Sequence, residues 1–276
     1  MSQPREVRAQ TSRSIIKPHF MLIAVIHGKR FREAEGREDW LTSAVFGHLR
    51  HIAPGPFWAD LLGRAHTVGT GVSLHSRIHA AGIRLDQYSK LDIHFWRSWE
   101  NYGEPDLILC FSGGGQSPLI VVVEVKLDSG KSGTGENDQL KRYLELLDDR
   151  DALRLYFPES NHRYLIYLTK TFSKLEIEDS IRVSVSTGIG DARDRVFCLQ
   201  WQDVLESSSA NSVGEPLLLE VARFLEIREF EAFRGFRSPP ATLRQVSGAF
   251  YGTAYFVSAT AGLGVGKLSE GRFYGN

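Results

Sequence analysis

Pro105-Asp106 stands eighteen positions ahead of Glu124-Val125-Lys126, and Gln139 and Tyr143 follow within the next twenty residues. Two carboxylates and an ammonium carry a definite chemistry if the fold brings them to one point. Carboxylate oxygens are the preferred ligands of hard divalent cations such as Mg2+ or Mn2+. A cation held beside a phosphate polarises it and activates water for attack. The ammonium can orient that water, deprotonate it, or neutralise charge developing on the phosphate.

Such a meeting requires Asp106 and Glu124 to sit on neighbouring strands. Leu119 to Leu127 reads as a strand apolar on both faces, the pattern of a central strand. Alternation along it places Glu124 and Lys126 on one face and Val121, Val123 and Val125 on the other. An acid and a lysine on a strand of this kind need partners, because an unpaired buried charge costs several kcal/mol. Asp106 starts the preceding strand, Leu107 to Phe111, across a turn at Ser112-Gly113-Gly114-Gly115-Gln116-Ser117. In a hairpin the start of one strand lies beside the end of the next, so Asp106 and Glu124 can face each other. The Val125 carbonyl is a third oxygen for a cation there. Lys126 is expected about 7 Å beyond Glu124 on the same face.

Other elements follow from periodicity. A helix is predicted from about Glu38 to His51, its stripe formed by Leu41, Val45 and Leu49, with Glu38 on the core side of that stripe. Phe57 to Ala65 is a weaker helix. Leu91 to Trp96 alternates as a half-buried strand, with Asp92, His94 and Trp96 on its outer face. Asn137 to Leu147 is a helix burying Leu140, Tyr143, Leu144 and Leu147, and Gln139 and Tyr143 share a face at i, i+4. Tyr164 to Leu168 and Val196 to Leu199 read as strands. Trp201 to Glu206 and Glu215 to Phe233 read as helices. Together these predict an α/β chain with a mixed central sheet flanked by helices.

With 276 residues and a formal net charge of zero, the total charge demands no nucleic-acid partner, and any such surface has to be a local patch. The two cysteines, Cys110 and Cys198, lie in separate apolar runs, which suits buried thiols in a reducing, cytoplasmic setting. The early apolar run Phe20 to Ile26 is too short to span a bilayer, so no membrane is expected as partner. Residues 1–19 read as a flexible lead-in, 20–237 as the main domain, and 238–276 as a Gly- and aromatic-rich β extension packed on it. Met21 is a second candidate start.

Pro105-Asp106, Glu124-Val125-Lys126 and Gln139-Leu140-Lys141-Arg142-Tyr143 together resemble the PD-(D/E)XK nuclease superfamily, in its RecB-like branch with a Gln-x-x-x-Tyr motif. The resemblance spans roughly residues 38 to 230. It implies a restriction-endonuclease-like αβββαβ core and Mg2+- or Mn2+-dependent hydrolysis of phosphodiesters, DNA ahead of RNA, in a defence, mobile-element or repair setting. It also implies that Asp106 and Glu124 bind the metal, that Lys126 assists the water, and that Glu38, similar in place to an acidic helix residue of many members, supports metal or water. Gln139 and Tyr143 join the catalytic set by the same likeness.

Lys131, Lys141 and Arg142 flank this cluster and are the expected phosphate contacts, with Arg77, Arg84 and the C-terminal Arg234, Arg237 and Arg244 as further basic positions. A homo-oligomer or a regulatory protein partner is compatible with the reading. The competing readings are a non-catalytic nucleic-acid- or protein-binding module on the same scaffold, and a glycosidase using Asp106 and Glu124. Lys126 on the carboxylate face favours phosphate over sugar. Gly262 to Lys267 is not a phosphate-binding P-loop, because Leu268 stands where Ser or Thr would hold magnesium.

Overall fold

The computed structural model describes residues 36–127, 130, 132–171, 174–228 and 230. The readings for residues 1–19, for Phe20 to Ile26 and for the C-terminal extension lie outside these residues, as do Lys131 and the three C-terminal arginines.

Helix α1 (Gly36–Leu49) opens the described chain, with Glu38 and Asp39 in its first turn. Acids there suit the positive end of the helix dipole. Leu41, Val45 and Leu49 are buried, as their spacing requires. Helix α2 (Pro56–Arg64) starts on a proline that Gly55 precedes at φ 153°. A two-residue strand β1 (His66–Thr67) and helix α3 (Leu74–Ala80) follow. Then come β2 (Lys90–Phe95), β3 (Leu107–Ser112) and β4 (Leu119–Lys126). Helices α4 (Gln139–Asp148) and α5 (Arg150–Arg154) lead to β5 (His162–Thr169). Helices α6 (Lys174–Ser186) and α7 (Ala192–Arg195) lead to β6 (Val196–Gln200). Helices α8 (Trp201–Ala210) and α9 (Pro216–Ile227) close the described chain.

The strands form one six-stranded mixed sheet in the order β1-β6-β5-β4-β3-β2. β2, β3 and β4 are antiparallel neighbours, whereas β4, β5 and β6 run parallel. Every residue of β4 is buried, as expected of an interior strand. Helices cover both faces. Val121, Val123 and Val125 pack with Leu41, Trp58, Trp201 and Val221 on one side, and Ile120 and Val122 pack with Leu140, Leu144, Ile177 and Ile181 on the other.

The β3–β4 hairpin fixes register. Leu107 pairs with Val123, so the residue before β3 falls opposite Glu124. Its turn uses three glycines at positive φ. A Cβ on Gly114 would lie 1.7 Å from the carbonyl oxygen of Gln87, so only glycine fits that approach.

Several elements depart from expectation. α6, the crossover between β5 and β6, was not anticipated, nor were α3, α5, α7 and β1. Trp96 does not stand on the outer face of β2. The strand ends at Phe95, and Trp96 turns inward to a buried position at φ 44°. Cys110 and Cys198 are both free thiols, and Cys198 is only half-buried. No described helix is long and apolar enough to cross a membrane.

Candidate functional site

Asp106, Glu124 and Lys126 converge at the carboxyl end of β4, where the parallel strands β5 and β6 also end. This is the edge of an α/β sheet at which ligands are usually bound. Asp106 Oδ2 accepts the Val125 backbone N–H at 2.8 Å, which ties the entry of β3 to the end of β4. Its Oδ1 accepts the indole N–H of Trp96 at 3.2 Å. Asp106 is 8% exposed and Glu124 1% exposed.

Lys126 does not stand off by two residues along the face as expected. Its side chain folds back, and Nζ donates to Glu124 Oε1, to the Val125 carbonyl at 3.0 Å and to Glu38 Oε1 at 3.3 Å. The other oxygen of Glu38 accepts the Leu127 backbone N–H at 2.9 Å. The first turn of α1 is thereby fastened to the end of β4, and Glu38 joins the cluster as the sequence suggested.

The electrostatics follow from burial. Removal from water pushes the Asp106 carboxyl up to about 6, against the lowering effect of the Val125 amide and of Lys126. Glu124 is raised well above the usual carboxylate range, first by burial and then by the Asp106 charge beside it. Burial alone would lower Lys126, but Glu124, Glu38 and Asp106 more than offset it, so Lys126 remains an ammonium. A lysine held charged in this way donates hydrogen bonds and neutralises charge. It does not remove a proton from water.

Gln139 and Tyr143 lie on the helix that faces this end of the sheet. Gln139 Nε2 donates to the Tyr143 hydroxyl at 3.0 Å, and Gln139 Oε1 accepts the Ser132 backbone N–H at 3.1 Å. Tyr143 is buried, and its phenol is raised by burial and then by Glu124. Tyr167, paired in register with Glu124 on β5, is a further phenol at this site that sequence reasoning missed. Burial, Glu176 and Glu124 raise it in turn. The available signal was a polar-tipped tyrosine between Ile166 and Leu168 near the end of the strand.

The expected phosphate contacts are only partly in place. Lys141 is buried, and its Nζ is held by Glu145 at 2.6 Å, so it is not a free surface cation. Arg142 is half-buried, and no described group accepts a hydrogen bond from its Nε. Arg77 pairs with Asp194 of α7. The Arg84 backbone bonds the side chain of Gln116 in the β3–β4 turn, at the opposite end of β4 from the carboxylates.

The donor set fits a hard divalent cation. Glu124 Oε2 is buried without a close hydrogen-bond donor among the described residues, although the Tyr143 phenol interacts with the Glu124 carboxylate. A buried carboxylate raised by the charge of a second one beside it is the arrangement a cation relieves. Among the described residues no three His, Cys, Asp or Glu side chains gather tightly enough to ligate one ion. The oxygens that could hold such an ion are those of Asp106, Glu124 and the Val125 carbonyl, few protein ligands being the habit of Mg2+, which keeps water and phosphate oxygens in its shell. Glu38 borders this set through Lys126.

No protein-family model, curated protein or solved structure matches the chain.

Proposed function

We propose that the protein is a Mg2+- or Mn2+-dependent nuclease that hydrolyses phosphodiester bonds, with DNA as substrate ahead of RNA, built on a restriction-endonuclease-like core of the PD-(D/E)XK type. The observation that carries this reading is the buried Glu124 set beside Asp106 and Lys126 at the carboxyl end of a central strand. The succession α1, β2, β3, β4, α4, β5, with α2, β1 and α3 inserted after α1 and α5 inserted after α4, supports the same reading, since it is compatible with the αβββαβ core expected.

Asp106, Glu124 and the Val125 carbonyl would hold the cation. When bound, it polarises a phosphate oxygen and acidifies water. Lys126 donates to the attacking water or to the phosphate oxygens as negative charge builds. Glu38 is the most exposed carboxylate of the cluster, with 22% of its side chain accessible, and is placed to take a proton from that water. Water adds to phosphorus in line and the bond to the leaving alcohol oxygen breaks. The water proton passes to Glu38, and the leaving alkoxide is protonated from solvent. Gln139 and Tyr143 hold the helix start against the site.

The direct test incubates the protein with plasmid, linear and single-stranded DNA in Mg2+ or Mn2+, beside K126A. Cleavage by wild type and its loss in K126A are expected. Equal cleavage by both proteins rejects the site.

The closure of Lys126 onto Glu124 and Glu38 also favours a second reading, a binding module that keeps the scaffold without turnover. It requires tight binding of nucleic acid or protein that E124A does not alter, and no metal-dependent cutting.

A further inference from the structure

Trp96 is the one non-glycine residue at positive φ among the described residues, at 44°. Left-handed backbone disfavours any side chain with a Cβ and persists where the surroundings over-determine it, often at functional sites. Here two bonds to a single partner do so. The Trp96 backbone N–H donates to the Asp106 carbonyl at 3.1 Å, and its indole N–H donates to Asp106 Oδ1 at 3.2 Å. Trp96 is 5% exposed, and its ring packs on Phe95 at 5.5 Å between centroids. A residue continuing β2 in extended conformation would alternate to the other face. The left-handed turn is what brings the indole onto the carboxylate.

We infer that Trp96 is a positioning residue for Asp106, acting from the end of β2 to set the orientation in which that carboxylate meets a divalent cation. The inference rests on the cation reading above. Asp106 receives one N–H on each oxygen, from Trp96 on one side and from Val125 on the other. Its plane is therefore fixed by two strands, while each oxygen keeps a further lone pair for a ligand. Donors that orient a metal-binding side chain typically matter 10- to 100-fold for metal affinity.

The test is calorimetric titration of the full chain with Mn2+, for wild type, W96F, D106A and F95L. W96F keeps an aromatic ring and loses the donor. Phe95 packs beside Trp96 but makes no bond to Asp106, so F95L reports the effect of loosened packing alone. Expected are Mn2+ binding by wild type, its loss in D106A, an affinity about 10-fold weaker or more in W96F, and wild-type affinity in F95L despite a lower melting temperature. In wild type itself, the Trp96 indole N–H resonance is expected to shift on Mg2+ addition. W96F with wild-type affinity, or an unshifted indole signal at saturating Mg2+, overturns the role of Trp96 while leaving the cation site standing. Absence of Mn2+ binding in wild type overturns both.

Discussion

Lys126 Nζ sits 3.3 Å from Oε1 of Glu38 and joins the last residue of β4 to the first turn of α1. The same ammonium bonds Glu124 and the Val125 carbonyl. Oxygens proposed to face a divalent cation thus already face a monovalent one, and the two compete for them. K126M is expected to bind Mn2+ more tightly than wild type in the absence of substrate, by about one order of magnitude on the scale of a single charge repulsion at intermediate dielectric. Its cleavage rate is expected to fall by about 10²–10³-fold, the usual cost of losing one preorganised donor. Calorimetry and a cleavage assay on one preparation check both. Unchanged Mn2+ affinity would contradict the competition.

Metal-free stability should fall as pH rises. Asp106 is lifted from 3.8 to about 6, and Glu124 upward from 4.5, so the folded state holds these protons more tightly than the unfolded chain. The stability they add in protonated form is complete below about pH 4 and is lost as pH passes through about 6, and for Glu124 beyond it. E124Q removes the buried charge and keeps an acceptor for Lys126. It is expected to be more stable than wild type at pH 8 by about 1–3 kcal/mol, the cost of a buried unsatisfied group, with the gap closing near pH 4. Thermal melts in chelator across that range decide it. Mg2+ should raise the melting temperature of wild type at pH 8 and leave E124Q unmoved.

Asp106 does not allow the same amide substitution. Both of its oxygens accept an N–H, so Asn would turn its own N–H2 toward a donor. D106N is expected to lose about 1–3 kcal/mol of stability together with cation binding, the opposite sign to E124Q. Chemical denaturation of both variants at pH 8 makes the comparison.

Lys141 and Arg142 should separate in a binding assay. Lys141 is buried against Glu145, whereas Arg142 is half-buried with an unpartnered Nε. K141M is expected to cost about 0.5 kcal/mol in stability and to leave the salt dependence of DNA binding unchanged. R142A is expected to weaken binding and to reduce the salt slope by about one. A fall in slope with K141M would return Lys141 to the interface.

The cluster was legible because its residues break local rules. An acid and a lysine at the end of an otherwise apolar strand, with Asp106 opposite them across a glycine turn, left few other arrangements. The mixed character of the sheet followed from the antiparallel β2 to β4 and the crossover after them, whereas the strand order and the edge strand β1 did not. α6 was not legible because its buried face combines Ile177 and Ile181 with Ser180 and Ser184, too few apolar positions to mark a helical stripe. Trp96 was misread because alternation assumes extended backbone, and the bond to Asp106 selects a left-handed residue instead. Lys141 was expected to reach phosphate because it flanks the cluster beside Arg142; its burial depends on Glu145 one turn later.

The most direct measurement is metal-dependent cleavage by chelator-stripped protein of an end-labelled duplex and of the matching single strand, with and without 5′ label protection (about 10 mM Mg2+ or 1 mM Mn2+, the weak-binding regime of sites with few protein ligands), beside E124Q. Cleavage that appears only with cation and vanishes in E124Q is expected. Cleavage that persists in chelator, or that E124Q retains in full, would contradict a cation-assisted site at Asp106, Glu124 and Lys126.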